Sequence, residues 1–326
     1  MGRRRTRAAL LCAVLAAAPA RAIETDQYYS WGRPLADSTE VLNAKVNAEI
    51  LLALAAVNRR GDWNETSCDE VRRSLLPHFL FFMYHDLELW ADHSSLVPRI
   101  PADAEETRDY RANYLYHAHG PLDLGTSLPP SPTVRVHGVR IGTDKLSHFF
   151  SEGWWYFISY RKALRRGASP EEATLRAIDK GLWVERTALG LFVSGVLSLA
   201  DLEANEQGLD FFRGLCEGPE PMLRREAAGW RLATPFDWRR YVTPAWDESY
   251  RPSLFLKSRW KKVRPVLERY CAKLSDPEVV REREEYARRP TSSLTAEQVR
   301  RRVAAGQLPD PQQFSIERVC AEKAQH

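Results

Sequence analysis

The chain has 326 residues, 44% of them apolar, with 10 tryptophans, enough to build a packed core. Its formal charge of +4 comes from the segment 1–22, which holds five arginines and no acid; without it Lys+Arg falls to 42 against 43 acids. That balance excludes a global electrostatic case for nucleic acid or for an anionic membrane surface.

The opening segment, MGRRRTRAALLCAVLAAAPARA, has the three parts of a secretory signal. A basic start (Arg3, Arg4, Arg5, Arg7) precedes an apolar run from Ala8 to Ala18, and Ala20-Arg21-Ala22 closes it with small residues. Cleavage is expected after Ala22, giving an exported chain, periplasmic or secreted. Cys12 lies inside the apolar run with no small residues just before it, which disfavours lipid attachment there. No later run reaches the roughly 18 apolar residues of a spanning helix, so the mature chain is predicted to have no transmembrane helix. The nearest run, TALGLFVSGVLSLA at 187–200, falls short of that length and reads as a buried core helix. Cys68, Cys216, Cys271 and Cys320 permit two disulfides in an exported protein, with the connectivity open.

The first mature helix is predicted from Asp37, which with Glu40 has capping-box spacing. Leu42, Val46, Ile50, Leu54 and Val57 then repeat at helical spacing, with Asn43 and Asn47 beside them as helix-packing hydrogen bonders. A second helix is expected from Ser74, with Pro77 in its first turn. Residues 94–136 are rich in Pro, Gly, Asp and Ser and read as a long loop or arm. TVRVHGVRIG alternates like a small β-hairpin, and a long aromatic helix follows from Asp144 to about Arg165. Ser169, Pro170 and Glu172 start the next helix, and Ser198 with Asp201 the one after. Residues 216–256, rich in Pro and Trp, are expected to pack as irregular structure before a further helix.

The expected fold is therefore all-α: an irregular multi-helix domain with at most one small β-hairpin and long Pro/Gly-rich loops. Its organisation would be a signal at 1–22, a helical core at 23–274, and a charged tail at 275–326 of short solvated or partly disordered helices. Cys320 could tether that tail to the core.

The candidate chemistry begins with GTDKLSHFFSEGWWYF, where Asp144, His148 and Glu152 fall at four-residue steps on one side of a helix. A carboxylate beside an imidazole fixes its tautomer and raises its basicity, which metal ligation and base catalysis both need. The competing reading makes Asp144 the helix N-cap and His148 a partly buried core histidine. Glu185 lies in the apolar helix GLWVERTALGLF, where a buried carboxylate needs a partner. Asp201, Asn205 and Gly208 are spaced i, i+4, i+7 in the following helix. A second-rank metal face is His78 and His85, with Glu88 and Asp92 beyond them.

The ordered set Asp144-Lys145-x-x-His148-Phe149, then Glu185, then SLADLEANEQG resembles the VanZ-like group, and more closely the small exported lipoproteins called YfiM-like. The resemblance is confined to the stretch 142–208. It implies a helical-hairpin core in which Asp144, Lys145, His148, Glu185, Asp201, Asn205 and Gly208 form a shared polar cluster, and it brings no established reaction. Two functions follow as expectations. One is an exported envelope protein whose cluster holds helices together or binds a small ligand, with other envelope components as its partners. The other is a metal-assisted hydrolase with His148, Glu152, Glu185 and Asp201 around an activated water. A divalent metal suits these ligands but is not required by the sequence.

Overall fold

The computed structural model describes residues 24–79, 86–116, 130–187, 191 and 195–325. Helix α1, Thr39–Arg59, buries the predicted stripe: Leu42, Val46, Ile50, Leu54 and Val57 all lie in the core. Its entry is bound by Asp37, whose Oδ1 accepts from Thr39 N at 2.8 Å and whose Oδ2 accepts from Gly138 N at 2.7 Å. The helix start is thereby tied to the hairpin turn. Asn43 and Asn47 do not join helix to helix as expected. Asn47 hydrogen-bonds both the N–H and the C=O of Phe236, and Asn58 does the same for Trp230. Asn43 accepts from Trp238 N at 2.9 Å. Asn43 and Asn47 thus supply backbone partners that an irregular, buried segment lacks, and Asn58 does so for Trp230 in a short strand.

Helix α2, Cys68–Phe79, starts well before the position expected for it, because Ser67 and Glu70 form a reciprocal capping box. Pro77 therefore sits near its end rather than in its first turn. Helix α3, Asp86–His93, follows. The segment expected as a long loop contains helix α4, Ala104–Asn113, capped by Asp103 at Glu106 N. The predicted hairpin is present as β1, Thr133–Val136, and β2, Val139–Gly142, paired antiparallel from Thr133↔Gly142 to Val136↔Val139. His137 and Gly138 carry the two positive φ angles of its tight turn.

The long aromatic helix comes in three consecutive pieces: α5, Asp144–Ser147, a π turn, His148–Glu152, and α6, Gly153–Leu164. Helix α7, Pro170–Thr187, begins on the predicted Ser169 cap and runs through Gly181; α8, Leu199–Gly214, begins on Ser198. Helix α6 packs against both α7 and α8, a helical hairpin with a third helix across it. Gly153 and Gly208 mark the crossing of α6 and α8: a Cβ on Gly208 would lie 1.9 Å from Phe149 O and 2.8 Å from Gly153 Cα.

Two expectations about strands are corrected. The run at 187–200 is not one core helix. Val196–Leu197 is a strand, β3, paired antiparallel with β6, Leu254–Phe255, while 188–190 and 192–194 lie outside the described residues. A third two-stranded sheet joins β4, Leu223–Glu226, to β5, Gly229–Leu232, so the mostly helical fold carries three small antiparallel ladders among the described residues rather than one hairpin.

The last helices are α9, Lys257–Leu267, α10, Pro277–Ala287, α11, Leu294–Ala304, and α12, Ile316–Lys323. Those beyond Ser275 are short, as expected, but docked. Tyr286 OH accepts from Arg140 N at 2.9 Å, and Glu206 on α8 accepts from Leu294 N and Thr295 N at the start of α11. Ile316 and Val319 sit in an apolar cluster with Tyr28, Trp31 and Tyr270. Cys68 pairs with Cys216, and Cys271 with Cys320, the latter tethering α12 to the segment after α9. No described helix is long and apolar enough to cross a membrane. The larger core gathers Phe149, Phe150, Phe211, Phe236, Trp238 and Trp246, with Phe79 stacked on Phe150 at 4.1 Å.

Candidate functional site

The π turn sets the site. Gly153 N–H donates to His148 O, five residues back, so one extra residue is accommodated where α5 passes into α6. His148 and Glu152 end up on one side of it, with His148 Nδ1 3.9 Å from Glu152 Oε2. That gap is too long for a hydrogen bond. Asp144 is the first residue of α5 and not its cap, which is Thr143. Its carboxylate turns inward, accepting from Thr25 Oγ1 at 2.7 Å and from Lys145 Nζ at 2.7 Å.

Lys145 is the centre. Its side chain is wholly buried, and Nζ donates to Asp144 Oδ2 and to Glu248 Oε1 at 2.6 Å, while Asp201 Oδ1 lies 2.5 Å away. Three carboxylates from three segments therefore converge on one ammonium. Burial opposes the lysine charge, but the Asp144, Asp201 and Glu248 carboxylates overcome it and raise its pKa well above the ordinary value. Glu248 is further held by Ser198 Oγ at 2.9 Å and Tyr116 OH at 3.0 Å. Burial raises its pKa, although Lys145 pulls it down.

Asp201 links this centre to His148, whose Nε2 lies 3.3 Å from Asp201 Oδ2 and whose Nδ1 lies 3.2 Å from Asn205 Oδ1. Nδ1 faces the Asn205 amide oxygen and Nε2 the Asp201 carboxylate, an arrangement that suits the doubly protonated imidazolium. Burial alone would favour the neutral ring; Asp201, with Glu152 and Glu185 behind it, outweighs that and raises the His148 pKa to about 10. The Asp201 carboxylate, pushed up by burial, is carried below its usual range by His148 and Lys145. His148 keeps 20% of its side-chain surface and Glu152 28%, so the cluster is closed within and open at this edge.

The sequence-predicted residues are thus divided. Asp144, Lys145, His148, Asp201 and Asn205 meet. Glu185 is buried nearby, its pKa pushed up to about 7 by burial and then by Asp201, while His148 acts in the opposite sense. Glu88 and Asp92 also reach the edge of the cluster. Ser131 Oγ donates to Glu88 Oε1 at 3.4 Å, and burial lifts Glu88 to about 7 and Asp92 to about 6. His78 does not join them; its Nδ1 pairs with Glu49 Oε2 on α1 at 2.8 Å. His85 lies outside the described residues.

Sequence reasoning missed Glu248, Glu24, Thr25, Ser198 as a ligand to Glu248, and Tyr116. The available signal for Glu248 was its place in PAWDESY, an acidic pair between aromatic residues in a segment expected to be buried.

One ligand atom each from Asp144, His148 and Asp201 could be supplied to a metal, since these atoms lie within 4.8 Å of one another. The Lys145 ammonium, however, already stands between the Asp144 and Asp201 carboxylates. A divalent ion bound to both would sit next to a fixed positive charge, which costs several kcal/mol at any interior dielectric in the range of about 4 to 20. No family model matches this chain, and neither a curated protein nor a solved structure is significantly similar to it.

Proposed function

We propose that this is an exported cell-envelope protein without catalytic chemistry at its cluster. The buried charges act as a joint between the N-terminal arm, the central helices and the Trp-rich segment. The edge formed by His148 and Glu152 is where a small polar ligand would bind. One observation carries this reading: Lys145 Nζ is saturated by carboxylates from α5, α8 and the segment before β6. A cluster whose cation is built in needs none from outside. The signal-like start and two cysteine pairs are consistent with export. The motif resemblance to the VanZ-like and YfiM-like group points to the same helical-hairpin cluster.

The metal-assisted hydrolase has one observation in its favour, the closeness of Asp144, His148 and Asp201. Elemental analysis of the mature protein, beside a His148→Ala variant, separates the two. The expected result is no stoichiometric divalent metal in either protein. The variant should be folded and less stable by about 1–3 kcal/mol, since Asp201 and Asn205 lose a partner. One metal per chain, lost in the variant while its fold is retained, would overturn this reading and support the hydrolase instead.

A further inference from the structure

The outer face of the α6–α7 hairpin carries two large aromatic side chains that it leaves in solvent. Trp155 on α6 is 61% exposed and Trp183 on α7 is 63% exposed, whereas Trp238 and Trp246 are wholly buried. Two contacts fix the antiparallel register of the hairpin. Lys180 Nζ donates to Ser159 Oγ at 3.1 Å, and Tyr156 lies so close to Gly181 that a Cβ there would overlap its hydroxyl. One turn further on, in the same direction along both helices, stand Trp155 and Trp183. The register therefore sets the two indoles side by side.

The free charges around them are positive. Lys180 and Arg186 stand three residues to either side of Trp183, and Lys162 follows Trp155 by two turns. All three are exposed, and none has an ion-pair partner among the described residues. The acids of the same helices are engaged elsewhere: Glu172 pairs with Arg176, Asp179 pairs with Arg302, and Glu185 is buried. Glu152 lies beside His148, and Glu171 is at the far end of α7.

Area and charge together select the occupant. The two indoles offer on the order of 300 Å², well short of the roughly 800 Å² per partner that a stable protein interface buries. A second copy docking through the same face would also set Lys180 and Arg186 against like charges. A lipid surface needs no such area. Indole rings favour the boundary between headgroups and acyl chains, and basic residues beside them meet anionic headgroups. Because the mature chain is balanced in charge overall, the attraction is confined to this face.

We propose that the α6–α7 face seats the protein on an anionic lipid surface, with Trp155 and Trp183 at headgroup depth and Lys162, Lys180 and Arg186 against lipid phosphates. This surface names the envelope component that the chain would meet; it rests on the export reading and makes no use of the Lys145 cluster.

Co-sedimentation of the mature chain with phosphatidylglycerol and with phosphatidylcholine vesicles tests it. Binding to the anionic vesicles should be at least about tenfold tighter and should weaken as salt rises. Trp155→Ser combined with Trp183→Ser should bind at least about tenfold more weakly with an unchanged Tm, because both side chains are exposed. Lys162→Gln, Lys180→Gln and Arg186→Gln together should lose roughly fivefold for each cation. No binding to phosphatidylglycerol, equal binding to both vesicles, or full binding by the tryptophan variant overturns the proposal. So does a concentration-dependent dimer that the same variant abolishes, since the face would then belong to a second copy. Should the serine variant lose its fold, the glutamine variant decides, and native affinity for phosphatidylglycerol overturns the proposal. None of these substitutions touches the charges around Lys145, so failure here leaves the proposed joint standing.

Discussion

Replacing Lys145 with methionine is expected to destabilise the protein by about 3–5 kcal/mol, the cost of stranding buried charges once their partner is removed. In a chain of this size that corresponds to a fall in Tm of roughly 5–8 °C. Methionine preserves the length of the side chain, so the loss reports the ammonium and not a cavity. Asp144, Asp201 and Glu248 would lose the ammonium they share, and His148 would remain beside Asp201.

The pH dependence follows from the same groups. In the native protein the lysine pKa is raised, so its contribution is complete below the ordinary lysine range and is lost only as pH rises through the folded value. Without Lys145 the Asp201 and Glu248 carboxyls lose the charge that pulls them down, and their pKa values rise. A carboxyl whose folded pKa is raised is most favourable below its unfolded value, near 4, and loses that contribution as pH climbs. The deficit of Lys145→Met should therefore be largest at pH 8 and shrink toward pH 5, as thermal melts across that range would show. Glu248→Gln is the milder control, because it leaves Nζ two carboxylates and a neutral oxygen. Equal melting of Lys145→Met and the native protein at pH 8 would mean that the cluster contributes nothing to the fold.

The second large effect is expected from Gly208→Ala. In an exposed helix interior that change is favourable by about 1 kcal/mol. Here the new methyl meets Phe149 O at 1.9 Å and Gly153 Cα at 2.8 Å, both backbone, so α8 must move away from the π turn. Overpacking of this kind costs about 1–3 kcal/mol and displaces Asn205 and Asp201 from His148. Gly214→Ala, near the end of the same helix with open space around it, serves as the control and should be neutral or stabilising. Urea unfolding of the two variants checks this; equal midpoints would show that the crossing tolerates a side chain.

Much of the cluster was legible because its members lie on helices with regular spacing. Asp201 and Asn205 stand one turn apart on α8, and the capping chemistry of Ser169 and Ser198 located the starts of α7 and α8. Lys145 and His148 were noticed, but their ranks were reversed. The sequence drew attention to the histidine, whereas the lysine, wholly buried, joins more segments. Nothing local marks a lysine as buried, since that depends on Asp201 and Glu248, both far along the chain. Glu248 was hard to place for the same reason: it comes from an irregular segment whose position is set by Asn43 and Asn47 clamping its backbone at Trp238 and Phe236. The π turn was equally hidden, because HFFSEGWW reads as ordinary helix and the Gly153–Gly208 contact beside it is long-range. The short ladder β3–β6 escaped the apolar-run argument, since so short a run cannot distinguish a helix from a loop and strand.

On this reading His148 and Lys145 are permanent cations holding the inner carboxylates together. The most direct measurement is the pH titration of His148 by NMR of the imidazole ring, assigned through a His148→Ala variant. Imidazolium shifts are expected to persist through pH 8 and to change only toward about pH 10, where that contribution to stability is lost, with no response to added Zn²⁺ at pH 7. A ring that titrates near its ordinary value of about 6.5, or that shifts on stoichiometric addition of Zn²⁺, would contradict it.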